Sequence, residues 1–278
     1  MSTLSAILHN PKALVGASIL GAFALVAVLA PVIAPASPTA MDFMPSEPPS
    51  WKHPLGTTAL GQDILSQVIW GTRLSLVVGV VTGGVTTVLS TVIGLAAGYF
   101  GGLVDEVLSA ITNIFLVLPG LPLMIVVAAY ITVKGVVPII LVISITGWAW
   151  GARVLRSQAM SLKSRDFVQA SVVVGERSPR IIFAEILPNM LSLIVANFFG
   201  AALYAVLSEA GLEFLGLGNV NVVTWGTILY WAQNNQAILL GQWQWMAVPG
   251  LCIATLGTAF ALINFAIDEV TNPRLRSR

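Results

Sequence analysis

The chain has 278 residues, of which 56% are apolar and only 9% are charged, and its net charge is +1 at pH 7. A soluble globular domain carries about 25% charged residues, so this composition excludes a soluble fold and points to a polytopic membrane protein. The near-neutral balance gives no sign of a nucleic-acid partner, and a single cysteine, Cys252, can form no intrachain disulfide.

Met1 to Lys12 is a short polar lead, and Ala13 to Ala30 is an unbroken run of apolar or small residues. Extended through Val32, Ile33 and Ala34, that run is long enough to span a bilayer. The APASPTA that follows offers a signal-peptidase site, but the run exceeds a usual signal segment, so it reads as an uncleaved first helix. Ala34 to Arg73 is polar and rich in proline (Pro35, Pro38, Pro45, Pro48, Pro49, Pro54), so its start is expected to be extended or irregular. Leu74 to Tyr99 is the second span. Its Gly79/Gly83 and Gly94/Gly98 pairs allow neighbouring backbones to approach closely.

Gly101 to Ser109, with Asp105 and Glu106, reads as a turn. Ala110 to Ile131 is a third span broken by Pro119 and Pro122, which free backbone carbonyls either at a simple kink or along a pathway lining. Val136 to Trp150 is the fourth span, Met190 to Leu207 the fifth and Trp245 to Ile267 the sixth. The chain thus divides into a first helix (1–34), an outer loop (35–73) and a core (74–278). The core carries a charged loop at 152–189 and an aromatic outer segment at 208–244.

Within the charged loop, Asp166 to Asn189 reads as two short helices around a glycine turn. Asp166 is expected as N-cap with Gln169 reaching back to it in a capping box, Phe167 to Val174 as helix, and Gly175 as the left-handed residue that closes it. Ser178 then caps a second helix with Pro179 at its first position, and Pro188 limits that helix.

Six spans put both termini on one side. That side holds ten of the basic residues (Lys12, Arg153, Arg156, Lys163, Arg165, Arg177, Arg180, Arg274, Arg276, Arg278), and the other only Lys52, Arg73 and Lys134. The bias places the termini and the charged loop in the cytoplasm. The nearest ionisable residues to the span centres are Asp105, Arg153, Glu209 and Asp268, all near span ends. A proton-driven carrier usually needs a buried carboxylate or histidine, so that mechanism is disfavoured. No phosphate loop, no HExxH, no CxxC and no nucleophile–base set occurs, and His9 and His53 read as exposed or turn residues. The chain reads as a transport subunit that borrows energy, not as an enzyme. A stand-alone channel, an ion-coupled carrier or a membrane scaffold is the alternative.

These blocks resemble a known family. Gln169-Ala170-Ser171, Gly175 and Ile186-Leu187-Pro188 resemble the coupling loop of ABC-importer permeases, whose consensus opens on E-A-A, passes a glycine and closes on I-x-L-P. Gln169 and Ser171 depart from that opening triplet. His53-Pro54-Leu55-Gly56-Thr57 with Gly61, Asp63 and Leu65-Ser66 is similar to the HPLGTDxxGRDxLSR signature of the dipeptide/oligopeptide group, with Thr58 for Asp and Gln62 for Arg. Gly71 to Leu76, Gly98 to Gly102 with Asp105, Glu209 to Leu212 with Phe214 to Gly218, Trp225-Gly226 and Asn272 to Leu275 follow in that group's order.

The resemblance is to the second (C-type) transmembrane subunit. It implies an all-α membrane protein with six transmembrane helices and the type I importer (MetI-like) permease fold, in a prokaryotic cytoplasmic membrane. Its implied partners are a second permease subunit, two cytoplasmic ABC ATPases that bind ATP and Mg, and an extracytoplasmic solute-binding protein. No cofactor or metal belongs to this chain itself. The coupling residues it implies are Asp166, Gln169, Ala170, Ser171, Gly175, Glu176, Ile186, Leu187 and Pro188. Candidates along the pathway are Pro119, Pro122, Glu209, Trp225 and Trp231. The substrate it implies is a dipeptide or oligopeptide, with a β-linked oligosaccharide as the alternative. Trp225, Trp231, Trp243 and Trp245, interleaved with Tyr230 and amides, suit either ligand, or else an interfacial aromatic belt and a docking surface for the binding protein.

Overall fold

The computed structural model describes residues 10–271. His9, the Asn272 to Leu275 ending, and Arg274, Arg276 and Arg278 of the charge count lie outside the described residues. Among the described residues the architecture is helical: α1 (Pro11–Ile33), α2 (Ile64–Phe100), α3 (Gly102–Val117), α4 (Gly120–Tyr130), α5 (Val136–Lys163), α6 (Asp166–Val173), α7 (Ser178–Phe214), α8 (Trp225–Asn234) and α9 (Gln244–Thr271). Five of these are long and apolar enough to cross a membrane, and α3 with α4 makes a sixth, bent by 94°.

Several helices outrun the apolar windows. α2 begins at Ile64, not Leu74, because Asp63 caps it by accepting the Ser66 N–H at 2.7 Å. At 37 residues, α2 and α7 are each roughly 55 Å long at about 1.5 Å per residue, well beyond the hydrocarbon core of about 30 Å. The expected turn after Gly101 is the first turns of α3. Pro119 sits at the N-cap of α4 and Pro122 within its first turn, where a missing N–H costs no helical bond, so the 94° bend falls at the break between the two helices.

The helices pack around α2. Its main neighbours are α5 and α7; α9 packs against α7, and α1 lies against α9 and α2. The two glycine pairs of α2 serve different partners. Gly79 and Gly83 lie against Val206 and Ala202 of α7, and Gly94 and Gly98 against Ala152, Arg156 and Ala159 of α5. A Cβ on Gly98 would come within 2.7 Å of both the Arg156 carbonyl and the Ala159 Cβ, so only a residue without a side chain allows this crossing.

Contacts at the helix ends fix which ends lie together. Lys12 of α1 pairs with Glu269 of α9 at 2.9 Å, and Arg156 of α5 grips Asp105 of α3 through Nε at 2.5 Å and Nη2 at 2.6 Å. These belong to the face that also carries Lys163, Arg165, Arg177 and Arg180, called here the basic end. At the opposite end the loop 34–63 folds onto the start of α2. His53, expected to be exposed or in a turn, opens a turn, its carbonyl accepting the Gly56 N–H at 2.8 Å, but it is buried, with Nδ1 2.9 Å from the Asp63 carboxylate and its ring against Phe43.

Candidate functional site: a projecting helix and a cavity

At the basic end the chain folds into a short arm. α6 runs from Asp166 to Val173 and ends on Gly175 at φ +83°, as expected from the sequence. The Gly175 N–H donates to the Val172 carbonyl and the Glu176 N–H to the Ser171 carbonyl, both at 3.0 Å, which is the hydrogen-bond pattern of a Schellman closure. The expected capping box is absent. Arg165 occupies the N-cap position without a side-chain bond, and Gln169 Nε2 instead donates to the Lys163 carbonyl at 2.8 Å, tying α6 back to the end of α5.

The second half of the loop also differs from expectation. Arg177, not Ser178, is the N-cap, and Pro188 does not stop the helix. The backbone widens to a π-helix over Ile181–Ile186, and the Leu187 N–H reaches back to the Ile182 carbonyl. That wider turn makes room for the proline ring and its missing donor. The chain then runs on as α7 to Phe214.

α6 has two faces. Val168 is wholly buried among Leu95 and Tyr99 of α2, Leu155 and Ala159 of α5, and Ile181, Ile186 and Met190 of α7. Ile186 is thus a packing residue of the arm, Leu187 lies at the edge of the same cluster, and Pro188 is exposed. The other face points outward: Phe167 is 41% exposed, Val172 47%, Val173 84% and Val174 81%, joined by Phe183 at 68%. Asp166, Gln169 and Ala170 are exposed beside them, Ser171 is half-buried, and Glu176 pairs with Arg180 at 3.4 Å. A polar loop that fixes an apolar ridge in the open has the form of a docking element.

A cavity of about 590 Å³ opens in the transmembrane region between α5, α7, α9 and the α3–α4 break. Trp150, Asn197, Tyr204, Asn264 and Asp268 supply its larger and polar side chains, and Gly147, Gly151, Ala196, Gly200 and Ala201 leave the rest of the wall smooth. The size is that of a small-molecule passage.

Of the pathway candidates, Pro119 and Pro122 are exposed at the break, and the neighbours Leu118 and Gly120 line this cavity. Trp225 does not face a passage. It is wholly buried, its Nε1 donates to the Val68 carbonyl at 3.1 Å, and its ring meets Phe23 edge-on at 5.4 Å. Glu209 is likewise buried, with Ser75 Oγ 3.5 Å from Oε1. Its partner one turn on, Glu213, went unnoticed in the sequence; Thr224 Oγ1 donates to it, and together the two carboxyl groups anchor the start of α8 on α7 and α2. Trp231 borders a smaller cavity of about 250 Å³ at the opposite end, its Nε1 donating to the Val220 carbonyl at 2.9 Å. Trp150, Asn197, Tyr204 and Asn264 were also missed. The available signal was spacing, since Asn197, Ala201 and Tyr204 share one face of α7, and Asn264 and Asp268 one face of α9.

With this geometry in place, residues 90–277 match the family described as the binding-protein-dependent transport system inner membrane component. The chain belongs to that family. Residues 3–49 match the N-terminal transmembrane domain of oligopeptide transport permease C. The dipeptide transport system permease protein DppC of Haemophilus influenzae is 33% identical over 279 residues, covering 96% of this chain and 92% of that one. The oligopeptide transport system permease protein OppC of Bacillus subtilis is 30% identical over 270 residues, covering 96% and 87%. A DppC from Alkalihalophilus pseudofirmus is 33% identical over 277 residues, covering 96% and 88%. The chain is therefore a multi-pass membrane permease that works as a component of a larger transport system.

Proposed function

We propose that the chain is one of two permease subunits of an ATP-driven importer for dipeptides and oligopeptides. An extracytoplasmic binding protein delivers the substrate to the end carrying α8, and two ATPases that bind ATP and Mg act at the basic end, in the cytoplasm. The placement of basic residues supports that orientation. The printed names of the relatives, dipeptide and oligopeptide permeases, support the substrate.

The observation that carries the energy-coupling reading is the apolar ridge of α6. Burying a Val or Phe side chain contributes about 1.5–3 kcal/mol, so Phe167, Val172, Val173 and Val174 offer several kcal/mol of gross docking energy against the costs of association. The buried face of the same helix reaches α2, α5 and α7 through Val168. α5 and α7 also wall the cavity. A push on α6 is thereby delivered, through packed side chains that do not compress, to helices that bound the passage.

The test is cysteine cross-linking in a Cys252→Ser background, with the complex purified from membranes. Cysteine at 173 or 174 is expected to cross-link to an ATPase subunit, and cysteine at the equally exposed 239 of the opposite end is not. No product from 173 or 174, or equal products from 239, would refute docking through α6.

A further inference from the structure

The cavity wall is selective in its chemistry. Its lining side chains include one carboxylate, Asp268, two carboxamides, Asn197 and Asn264, and hydroxyls of Thr86, Thr146 and Tyr204, with no lysine, arginine or histidine among them. Asn264 and Asp268 stand one turn apart on α9, and among the described residues neither side chain is engaged in a hydrogen bond or ion pair. The adjacent Glu269 behaves otherwise, being held by Lys12 Nζ at 2.9 Å and Asn10 Nδ2 at 3.2 Å on the α1 side. α9 thus ties one acidic residue to α1 and leaves its neighbour Asp268, which is exposed, on the cavity wall. Gly200 faces Asn264 across the gap, where a Cβ would lie 3.2 Å from Asn264 Nδ2, so any side chain there would crowd the amide.

We propose that Asp268 and Asn264 form a site for the α-ammonium group of a peptide at the basic-end mouth of the cavity. The site rests on the peptide reading above. Peptides of different sequence share three backbone features: an ammonium, amides and a carboxylate. This wall holds a counter-charge for the first and amide partners for the second, and none for the third. Its glycine and alanine stretches leave space for side chains of any kind, so selection acts on the backbone terminus. The Asp268 carboxylate accepts the ammonium hydrogen bonds and the Asn264 carbonyl oxygen accepts a further one.

The test is direct binding to the complete transporter complex in lipid, without binding protein or ATP, followed by fluorescence from Trp150, which lines the same cavity; a Trp150→Phe complex identifies its contribution. Trialanine and N-acetyl-trialanine are titrated into wild type, Asp268→Asn and Asp268→Glu. Asp268→Asn is expected to weaken trialanine binding about fivefold, the scale of a partly exposed ion pair. It is expected to leave the acetylated peptide's affinity within twofold, and Asp268→Glu to restore the preference for the free amine. Equal shifts for both peptides would show a merely structural role and overturn the proposal, as would no shift or no trialanine binding. ATP-driven uptake with binding protein present reports separately on the peptide reading: uptake without Asp268-dependent amine preference removes this site alone, and absence of peptide uptake removes both.

Discussion

Gly175 gives the sharpest quantitative expectation. Its φ of +83° lies in the left-handed region, and a Cβ built there would have no neighbour within 4 Å. Substitution therefore costs backbone strain without a clash. For alanine the cost is about 1 kcal/mol and for valine about 2 kcal/mol or more. Asparagine tolerates this conformation and loses only a few tenths of a kcal/mol. α6 has only eight residues and is marginal without its closure and its Val168 anchor. The strain then appears directly as a larger population of undocked arm. Arg165 and Arg177 flank α6 and are exposed, so limited trypsin digestion reads that population when opening and reclosing are fast. Cleavage is expected to rise about fivefold in Gly175→Ala and about thirtyfold in Gly175→Val, with Gly175→Asn close to wild type. Transport per ATP hydrolysed is expected to fall in the same order. If Asn proved as damaging as Val, the glycine would be needed for contact with a partner and the strain argument would be wrong.

Val168→Ala empties part of the cluster that joins α6 to α2, α5 and α7; about 1–3 kcal/mol of arm stability is expected to be lost, visible as the same accelerated tryptic cleavage. Gly98→Leu forces α2 away from α5 where the gap is 2.7 Å, and a loss of about 1–3 kcal/mol or more is expected as a lower midpoint of thermal unfolding in detergent. Arg156→Gln and Asp105→Asn break the bidentate pair between α5 and α3. A double-mutant cycle on thermal stability is expected to return a coupling of about 1–2 kcal/mol, and zero coupling would show that the pair is ornamental.

The number of spans was legible because hydropathy reports the bilayer, but helix ends were not. Asp63 starts α2 where the sequence still reads as loop, and α7 extends inward to Ser178 because water does not end a helix that tertiary packing supports. The glycine pairs of α2 were read correctly as sites of close approach, yet nothing local says that one pair meets α7 and the other α5. Gly175 was legible because a left-handed closure has few alternatives. The ends around it were misjudged for local reasons. Gln169 found the Lys163 carbonyl instead of the cap, and a π-helical turn absorbed Pro188. Trp225 and Glu209 resembled pathway residues because polar and aromatic groups in a membrane protein suggest a lining. In the fold both are buried, Glu209 against Ser75 and Trp225 against Ser75 and Val68, partners distant in sequence. The cavity residues were obscured for the opposite reason: Asn197, Asn264 and Asp268 sit singly in apolar runs, and only the convergence of α5, α7 and α9 brings them together.

The most direct measurement is peptide uptake into proteoliposomes holding the complete complex, with binding protein outside and ATP supplied at the face of α6. Uptake of a labelled oligopeptide that requires ATP and binding protein, and that falls in step with the Gly175→Val defect, is the expected result. Uptake that proceeds without ATP or binding protein, or ATP hydrolysis with no peptide movement in the intact wild-type complex, would contradict the account of this chain as an ATP-coupled peptide permease.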